Sequence, residues 1–239
     1  MPGLYKDEGI VLKAIKLGEA DRILTIYTRY NGKIDAVAKG IRKTKSRFGG
    51  RLEPFTRVDL MLYRGRNLDT ITGADIVDSF KGMRTDYESL TSAAALAELV
   101  DKVTPDREKA LPVYALLVAG LKALASGGPS TVVPAFYVKL LSISGYHPQL
   151  KICAGCGSVS DLRGFSAPLG GVVCESCLNE EEDAVNLTDG QMAMLNRLLV
   201  SDLGQPDGGE GAYLARMLRR YAEYHLERPM RSLEIPAIQ

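Results

Sequence analysis

Arg22-Ile-Leu-Thr-Ile-Tyr-Thr28, then Asn31-Gly32, then Lys33-Ile-Asp-Ala-Val-Ala-Lys39, is the stretch on which the fold turns. Two runs of strand-forming residues meet at an Asn-Gly pair, the strongest short hairpin signal, because these two residues accept positive φ at little cost. In the second run Ile34, Ala36 and Ala38 share one face, and Lys33, Asp35, Val37 and Lys39 share the other. Upstream, residues 10–17 read as a strand ending at Gly18. Downstream, Val58, Leu60 and Leu62 alternate with Asp59, Met61 and Tyr63, and Arg64-Gly-Arg-Asn67 turns into a further strand over residues 68–77. Five short strands with no helix between them predict a small closed barrel over residues 1–80. The OB-fold is the leading five-stranded candidate and an SH3-like barrel the runner-up.

The barrel sequence is interrupted between residues 40 and 55, where no periodicity survives. Gly40-Ile-Arg-Lys-Thr-Lys-Ser-Arg-Phe-Gly-Gly-Arg-Leu52 is crowded with basic residues and holds three glycines. It is expected to be a solvated loop, ordered by a ligand if at all.

Composition is that of a folded chain: of 239 residues, 46% are apolar and 25% charged, which excludes disordered and collagen-like classes. The longest uncharged apolar stretch covers residues 110–121 and contains Pro112, too short for a membrane span. The N-terminus has no basic region followed by an apolar run, so a cytoplasmic protein is expected. Thirty basic residues against 29 acidic ones look uninformative, but the balance is uneven. Residues 1–80 hold 15 Lys and Arg against 10 Asp and Glu, a net of +5, and the remainder is −4. Between Lys33 and Arg66 ten basic residues face only Asp35, Glu53 and Asp59. Such asymmetry points to polyanion binding by one part of a chain.

From Gly82 the pattern becomes helical. Thr85-Asp-Tyr-Glu88 has capping-box spacing for a helix reaching residue 103, and Thr104-Pro105 suits the start of the next, with Pro112 able to kink or restart it. Gly127-Gly128-Pro129 stops that helix. A third helix follows over residues 133–144. Thr188-Asp-Gly-Gln191 is a second capping box before a helix over residues 192–200, and a last helix covers residues 211–226. The expected architecture is therefore α+β and multidomain. It comprises a five-stranded OB-fold β-barrel (1–80), an α-helical domain (81–147 and 184–239), and an inserted four-cysteine zinc module (148–183).

All four cysteines fall within that insertion, as Cys153-Ala-Gly-Cys156 and Cys174-Glu-Ser-Cys177. Two C-x₂-C pairs at this separation match a four-sulfur zinc site, since each tight turn aims two thiolates at one point. One structural zinc per chain is expected, because four sulfurs leave no open position for a reacting water.

Lys39, Arg42, Lys43, Lys45, Arg47 and Arg51 crowd one loop, supplemented by Lys33, Arg57, Arg64 and Arg66, as candidate nucleic-acid-binding residues. Tyr27, Tyr30, Phe48, Phe55 and Tyr63 stack on bases if exposed, although burial is the commoner fate of each. Binding of this kind is independent of base sequence and sensitive to salt. No P-loop, dinucleotide fingerprint or nucleophile elbow is present, and His147 and His225 neighbour no plausible nucleophile. No enzyme is expected. A zinc-ribbon factor for structured RNA and a metal-dependent nuclease stand as the rival readings.

Several segments carry a resemblance. Glu8-Gly-Ile-Val-Leu-Lys13, Gly18-Glu-Ala-Asp-Arg22, Ala38-Lys-Gly40 with its basic loop, and Gly145-Tyr-His-Pro-Gln-Leu-Lys-Ile-Cys-Ala-Gly-Cys-Gly157 resemble the bacterial RecO family. Phe165-Ser-Ala-Pro-Leu-Gly-Gly-Val-Val-Cys-Glu-Ser-Cys177 and the closing Arg228-Pro-Met-Arg-Ser-Leu233 are similar to it as well, in the right order over nearly the whole chain. The resemblance implies a non-enzymatic recombination mediator of DNA repair. Such a protein binds single- and double-stranded DNA, anneals complementary strands, contacts the C-terminal tail of single-stranded DNA-binding protein, and with RecR helps load RecA. Lys39, Arg42 and Lys43 are the best matches to the family's DNA-contacting positions.

Overall fold

The computed structural model describes residues 3–128, 130–204 and 209–232. Pro129 and Leu233, used above for a helix stop and for the closing segment, lie outside the described residues. The chain divides into two compact units, residues 1–125 and 126–239.

The first unit opens with β1 (Leu4–Leu17), β2 (Asp21–Thr28), β3 (Gly32–Ala38), β4 (Arg57–Tyr63) and β5 (Asp69–Asp78). They close into a barrel in the order β1-β2-β3-β5-β4, with β1 paired to β4 through its first half and to β2 through its second. All neighbours are antiparallel except β3 and β5, which meet in parallel at Ala36–Asp69 and Val37–Thr70. This is the five-stranded OB-fold barrel expected from the sequence. A bulge between Val11 and Lys13 lets the long first strand bend from one partner to the other. Val58, Leu60 and Leu62 point into the core beside Leu24, Ile26, Ile34 and Ile71, while Asp59, Met61 and Tyr63 point outward.

The basic segment departs from its expectation. Ile41, Phe48 and Leu52 belong to the buried barrel core, so the loop is pinned by its apolar residues rather than left free. Charge density hid this, because the three anchors are spaced too irregularly to show as a period.

A 3-10 helix (Lys81–Thr85) leads into α1 (Tyr87–Val103). The N-cap is Asp86, whose carboxylate accepts the Ser89 N–H at 2.7 Å. The Thr85–Glu88 box does not form, since Thr85 belongs to the preceding turn and its hydroxyl donates to Gly82 O. Thr104-Pro105 ends α1 rather than starting the next helix; the Thr104 N–H donates to Val100 O. α2 (Leu111–Ala125) starts later, with Pro112 in its first turn, where a missing N–H costs nothing.

The linker between these helices runs beside β3. Asp106 bridges Lys33, and the Arg107 N–H donates to Lys33 O at 2.8 Å. At Gly32 (φ +66°) an added Cβ would fall 2.1 Å from Glu108 O, so the hairpin turn admits the linker only as glycine. The helices α1 and α2, assigned from sequence to a helical domain, thus pack in one unit with the barrel.

The second unit holds α3 (Val132–Ile143), β6 (Leu162–Ser166), β7 (Gly171–Cys174), α4 (Glu175–Glu180), β8 (Val185–Asn186), α5 (Asp189–Leu198) and α6 (Gly211–Leu226). β6 and β7 form a short hairpin between the cysteine pairs, with β8 on the other side of β6. The second capping box forms as read: Thr188 Oγ1 accepts the Gln191 N–H and Gln191 Oε1 accepts the Thr188 N–H. α6 buries Leu214, Met217, Leu218 and Tyr221 and packs on α3. Among the described residues no helix is long and apolar enough to cross a membrane.

Candidate functional site

The cysteine cluster is built from two tight turns. Cys153 and Cys156 lie on a knuckle closed by the Gly157 N–H donating to Cys153 O at 2.8 Å, with Gly157 at φ +77°. Cys174 ends β7 and Cys177 lies in the first turn of α4. Their four Sγ atoms lie within 4.8 Å of one another, and those of Cys156 and Cys174 are 3.7 Å apart. A disulfide would require about 2.05 Å. Four sulfurs each about 2.3 Å from a central ion form a tetrahedron with edges of about 3.8 Å, which this spacing fits. An added Cβ at Gly155 would fall 3.0 Å from Cys177 Sγ, so the cradle is cleared by a glycine.

The cluster's electrostatics point the same way. Burial raises the Cys153 thiol, but the N–H groups of Cys156, Cys174 and Gly155 outweigh burial and bring it down to about 6. Cys177 is pushed up to about 12, chiefly by its hydrogen bond with Cys153 and then by burial. A cation shared by the four sulfurs would favour the thiolate form of each. The four cysteines can hold one metal ion, and with all four engaged no position remains for a reacting water.

The cationic candidates separate into two groups. Lys39, Arg42, Lys43, Lys45, Arg47, Arg51, Arg64 and Arg66 are exposed. Arg42 donates to Gly18 O, Arg47 to Ile71 O and Arg51 to Arg47 O, all uncharged carbonyls. Arg47 also lies over the Phe48 ring, 4.8 Å from its centroid. Among the described residues none of the eight is ion-paired, so their charge faces solvent uncompensated.

Lys33 and Arg57 are placed differently. The Lys33 side chain is only 11% exposed and pairs with Asp106 at 3.2 Å and Asp101 at 3.6 Å. Arg57, 20% exposed, forms a two-nitrogen contact with Glu8 Oε1, which also accepts the Tyr114 hydroxyl at 2.5 Å. Lys33 is spent holding the barrel to the helical segment behind it and Arg57 holding β4 to β1, and the geometry withdraws both from the exposed set. Their partners are 49 or more residues away in sequence, so no local pattern revealed them.

The aromatics divide likewise. Tyr27 and Phe48 are core, Phe55 is half-buried, and Tyr30 and Tyr63 stand out at 51% and 46% exposure. Arg29 and Lys109 lie over the Tyr30 ring at 5.3 and 5.4 Å from its centroid, a pairing the sequence reading did not find. Its one sequence signal was the adjacency of Arg29 to Tyr30. In the second unit His147 Nδ1 meets Ser142 Oγ and His225 Nε2 meets Ala167 O, both local packing contacts. Arg219 pairs with Glu223 along α6, and Arg216 and Arg220 line a groove of about 290 Å³ with Phe165, Val185 and Met217.

Comparison with known proteins gives one consistent result. The family model described as Recombination protein O N terminal matches residues 1–80, and Recombination protein O C terminal matches residues 84–234. The DNA repair protein RecO of Bifidobacterium adolescentis is 41% identical over 244 residues, covering 97% of this chain and 98% of the relative. Those of a Nocardioides species and of Frankia casuarinae are 40% and 42% identical, each over 96% of this chain and at least 97% of the relative.

Proposed function

The chain belongs to the RecO family of DNA repair proteins, and on that premise we propose that it is a non-enzymatic recombination mediator. It binds single- and double-stranded DNA through the barrel and anneals complementary strands. With RecR and the C-terminal tail of single-stranded DNA-binding protein it helps load RecA, working in the cytoplasm. The observation carrying this reading is the loop from Lys39 to Arg51. Six exposed cations ride on a segment whose Ile41, Phe48 and Leu52 are locked into the core, so the charges are held in place before a ligand arrives.

The mechanism needs no nucleotide hydrolysis. Cations that neutralise phosphates release the counterions condensed on DNA, and this entropy gain favours binding of any sequence. Two strands held at one barrel with their bases accessible then pair spontaneously. Lys39, Arg42 and Lys43 carry the core of this contact, with Lys45, Arg47 and Arg51 extending it.

Cys153, Cys156, Cys174 and Cys177 would hold one structural zinc ion, which supplies charge neutralisation and a fixed crosslink to the β6–β7 hairpin. An all-sulfur donor set favours this soft-tolerant, redox-inert ion over Mg²⁺ or Ca²⁺.

Titration of single-stranded DNA against salt tests the reading. Four to six phosphate contacts give a log–log slope of roughly −3 to −4, at about 0.7 per contact. A slope near zero rejects the basic loop as the site, and cleavage of labelled DNA in Mg²⁺ by pure protein rejects the non-enzymatic assignment.

A further inference from the structure

A second cationic surface lies at the Gly3 end of β1, whereas Arg42 of the basic loop reaches its Gly18 end. Arg42 of the loop donates to Gly18 O, one residue beyond the end of β1. The Arg64 N–H donates to Gly3 O, one residue before its start. The strand between them is 14 residues long, about 45 Å of contour at about 3.3 Å per residue. Around the Gly3 end the structure gathers Arg29, Arg64, Arg66 and Lys109, all exposed, beside the exposed rings of Tyr30 and Tyr63.

This gathering has an ordered framework. Arg64 Nη2 donates to Asn31 Oδ1 at 2.7 Å, tying the β4–β5 turn to the β2–β3 turn, and its guanidinium covers the Tyr5 ring at 5.0 Å. The β2–β3 turn is held in turn by buried Asp7, which accepts the Tyr30 N–H and the Asn31 side-chain amide. Tyr30 is therefore fixed through its backbone while its ring remains open. Beside it runs a groove of about 560 Å³ lined by Lys6, Arg29, Tyr30 and Met61, where Gly73 leaves the floor without a side chain.

Carboxylates border this surface. Asp7 and Glu8 are engaged by the contacts already given. Asp59 and Asp75, cross-strand neighbours on β4 and β5, line the same groove, and Glu108 precedes Lys109 on the linker. A polyanion is thus drawn to Arg29, Lys109, Arg64 and Arg66 and repelled by Asp59 and Asp75 within the groove itself. An exposed tyrosine between cations suits an unpaired base stacked on its ring and flanking phosphates, the pairing by which single strands are held without sequence preference.

We infer that Tyr30, Arg29, Lys109, Arg64 and Arg66 form a second single-strand site, which holds the complementary strand while the loop from Lys39 to Arg51 holds the first. The inference rests on the proposed annealing function. It assigns the two strands to two surfaces of one barrel, so that a single chain can carry both.

The test uses the whole chain and two non-complementary fluorescent oligonucleotides, with energy transfer reporting joint occupancy. Tyr30→Ala combined with Arg29→Glu and Lys109→Glu is expected to leave affinity for the first strand within about threefold, while abolishing energy transfer and slowing annealing about tenfold or more. Tyr30→Phe in the otherwise native chain, which keeps the ring, should retain annealing. Lys39→Glu with Arg42→Glu and Lys43→Glu should weaken first-strand binding directly. Unchanged energy transfer and annealing in the Tyr30 triple variant overturn the second site. So does a shortened footprint of a single strand with energy transfer retained, because one strand then spans both surfaces. A native chain that neither binds in a salt-dependent way nor anneals overturns the mediator reading itself.

Discussion

Asp69 of β5, wholly buried in the barrel wall, is ion-paired at 2.9 Å with Arg107 of the linker between α1 and α2. The same carboxylate accepts the Tyr5 hydroxyl and the Gly65 N–H, so the barrel contributes two donors and the helical segment the compensating charge. A buried carboxylate that loses its cation is strongly destabilising. The barrel therefore depends on a residue 38 positions beyond Asp69.

Arg107→Ala should cost about 2–3 kcal/mol, below the usual range of about 3–5 for a broken buried pair because the guanidinium is partly in water. Urea denaturation measures this. A chain cut after residue 80 should fail to unfold cooperatively, whereas one cut after residue 125 should; cooperative unfolding of the shorter piece would dismiss the dependence.

Acid should loosen the same unit. Burial raises the Asp69 and Glu8 carboxyls, but hydrogen bonds outweigh it, from Arg107 and Tyr5 at one and from Tyr114 and Arg57 at the other. Both carboxyls are therefore held below the usual range. The unfolded chain then binds protons more readily, so their contribution is complete above roughly pH 4 and is lost as pH falls through the lower folded values. Denaturation midpoints should drop steeply below about pH 4, and Asp69→Asn should flatten that dependence while lowering the plateau.

Phe48→Ala should separate loop order from loop charge. Removing a buried aromatic ring costs about 3–5 kcal/mol and unpins the basic segment. DNA affinity should fall although no cation is lost, with the salt slope nearly unchanged. Native affinity in a folded variant would show that anchoring is irrelevant.

Lys33→Gln provides the converse. Its ammonium is engaged with Asp101 and Asp106, so thermal stability should fall while the salt slope of DNA binding stays the same. A slope reduced by about 0.7 would return Lys33 to the phosphate-contacting set.

Metal removal should act locally. Elemental analysis is expected to find one zinc per chain, and chelation should raise hydrogen exchange first around residues 150–180, with DNA affinity retained by the barrel. Cys153→Ser and Cys174→Ser remove buried ligands and should abolish metal retention. A chelated protein with unchanged exchange there would remove the structural role.

The sequence made the periodic and spaced features legible. Asn31-Gly32, the alternation through Val58, Leu60 and Leu62, the Thr188–Gln191 box and the two cysteine pairs are local patterns, and local hydrogen bonding determines them. Features decided by distant partners were not legible. Asp86 replaced Thr85 as a cap because the preceding turn claimed the threonine. Lys33 and Arg57 read as cations supplementing the loop until residues distant in the chain supplied carboxylates. Phe48 and Leu52 were hidden in a charged segment because an anchor needs a cavity to fill, and the cavity belongs to the closed barrel.

The bulge between Val11 and Lys13 has a mechanical consequence. A strand hydrogen-bonded to one neighbour through its first half and to another through its second resists stretching, and a bulge fixes its bend without adding slack. β1 thereby acts as a bent ruler between Gly3 and Gly18. Whatever the turns at its two ends grip is presented at a set spacing, in the way that jaws on a rigid frame differ from hooks on a cord.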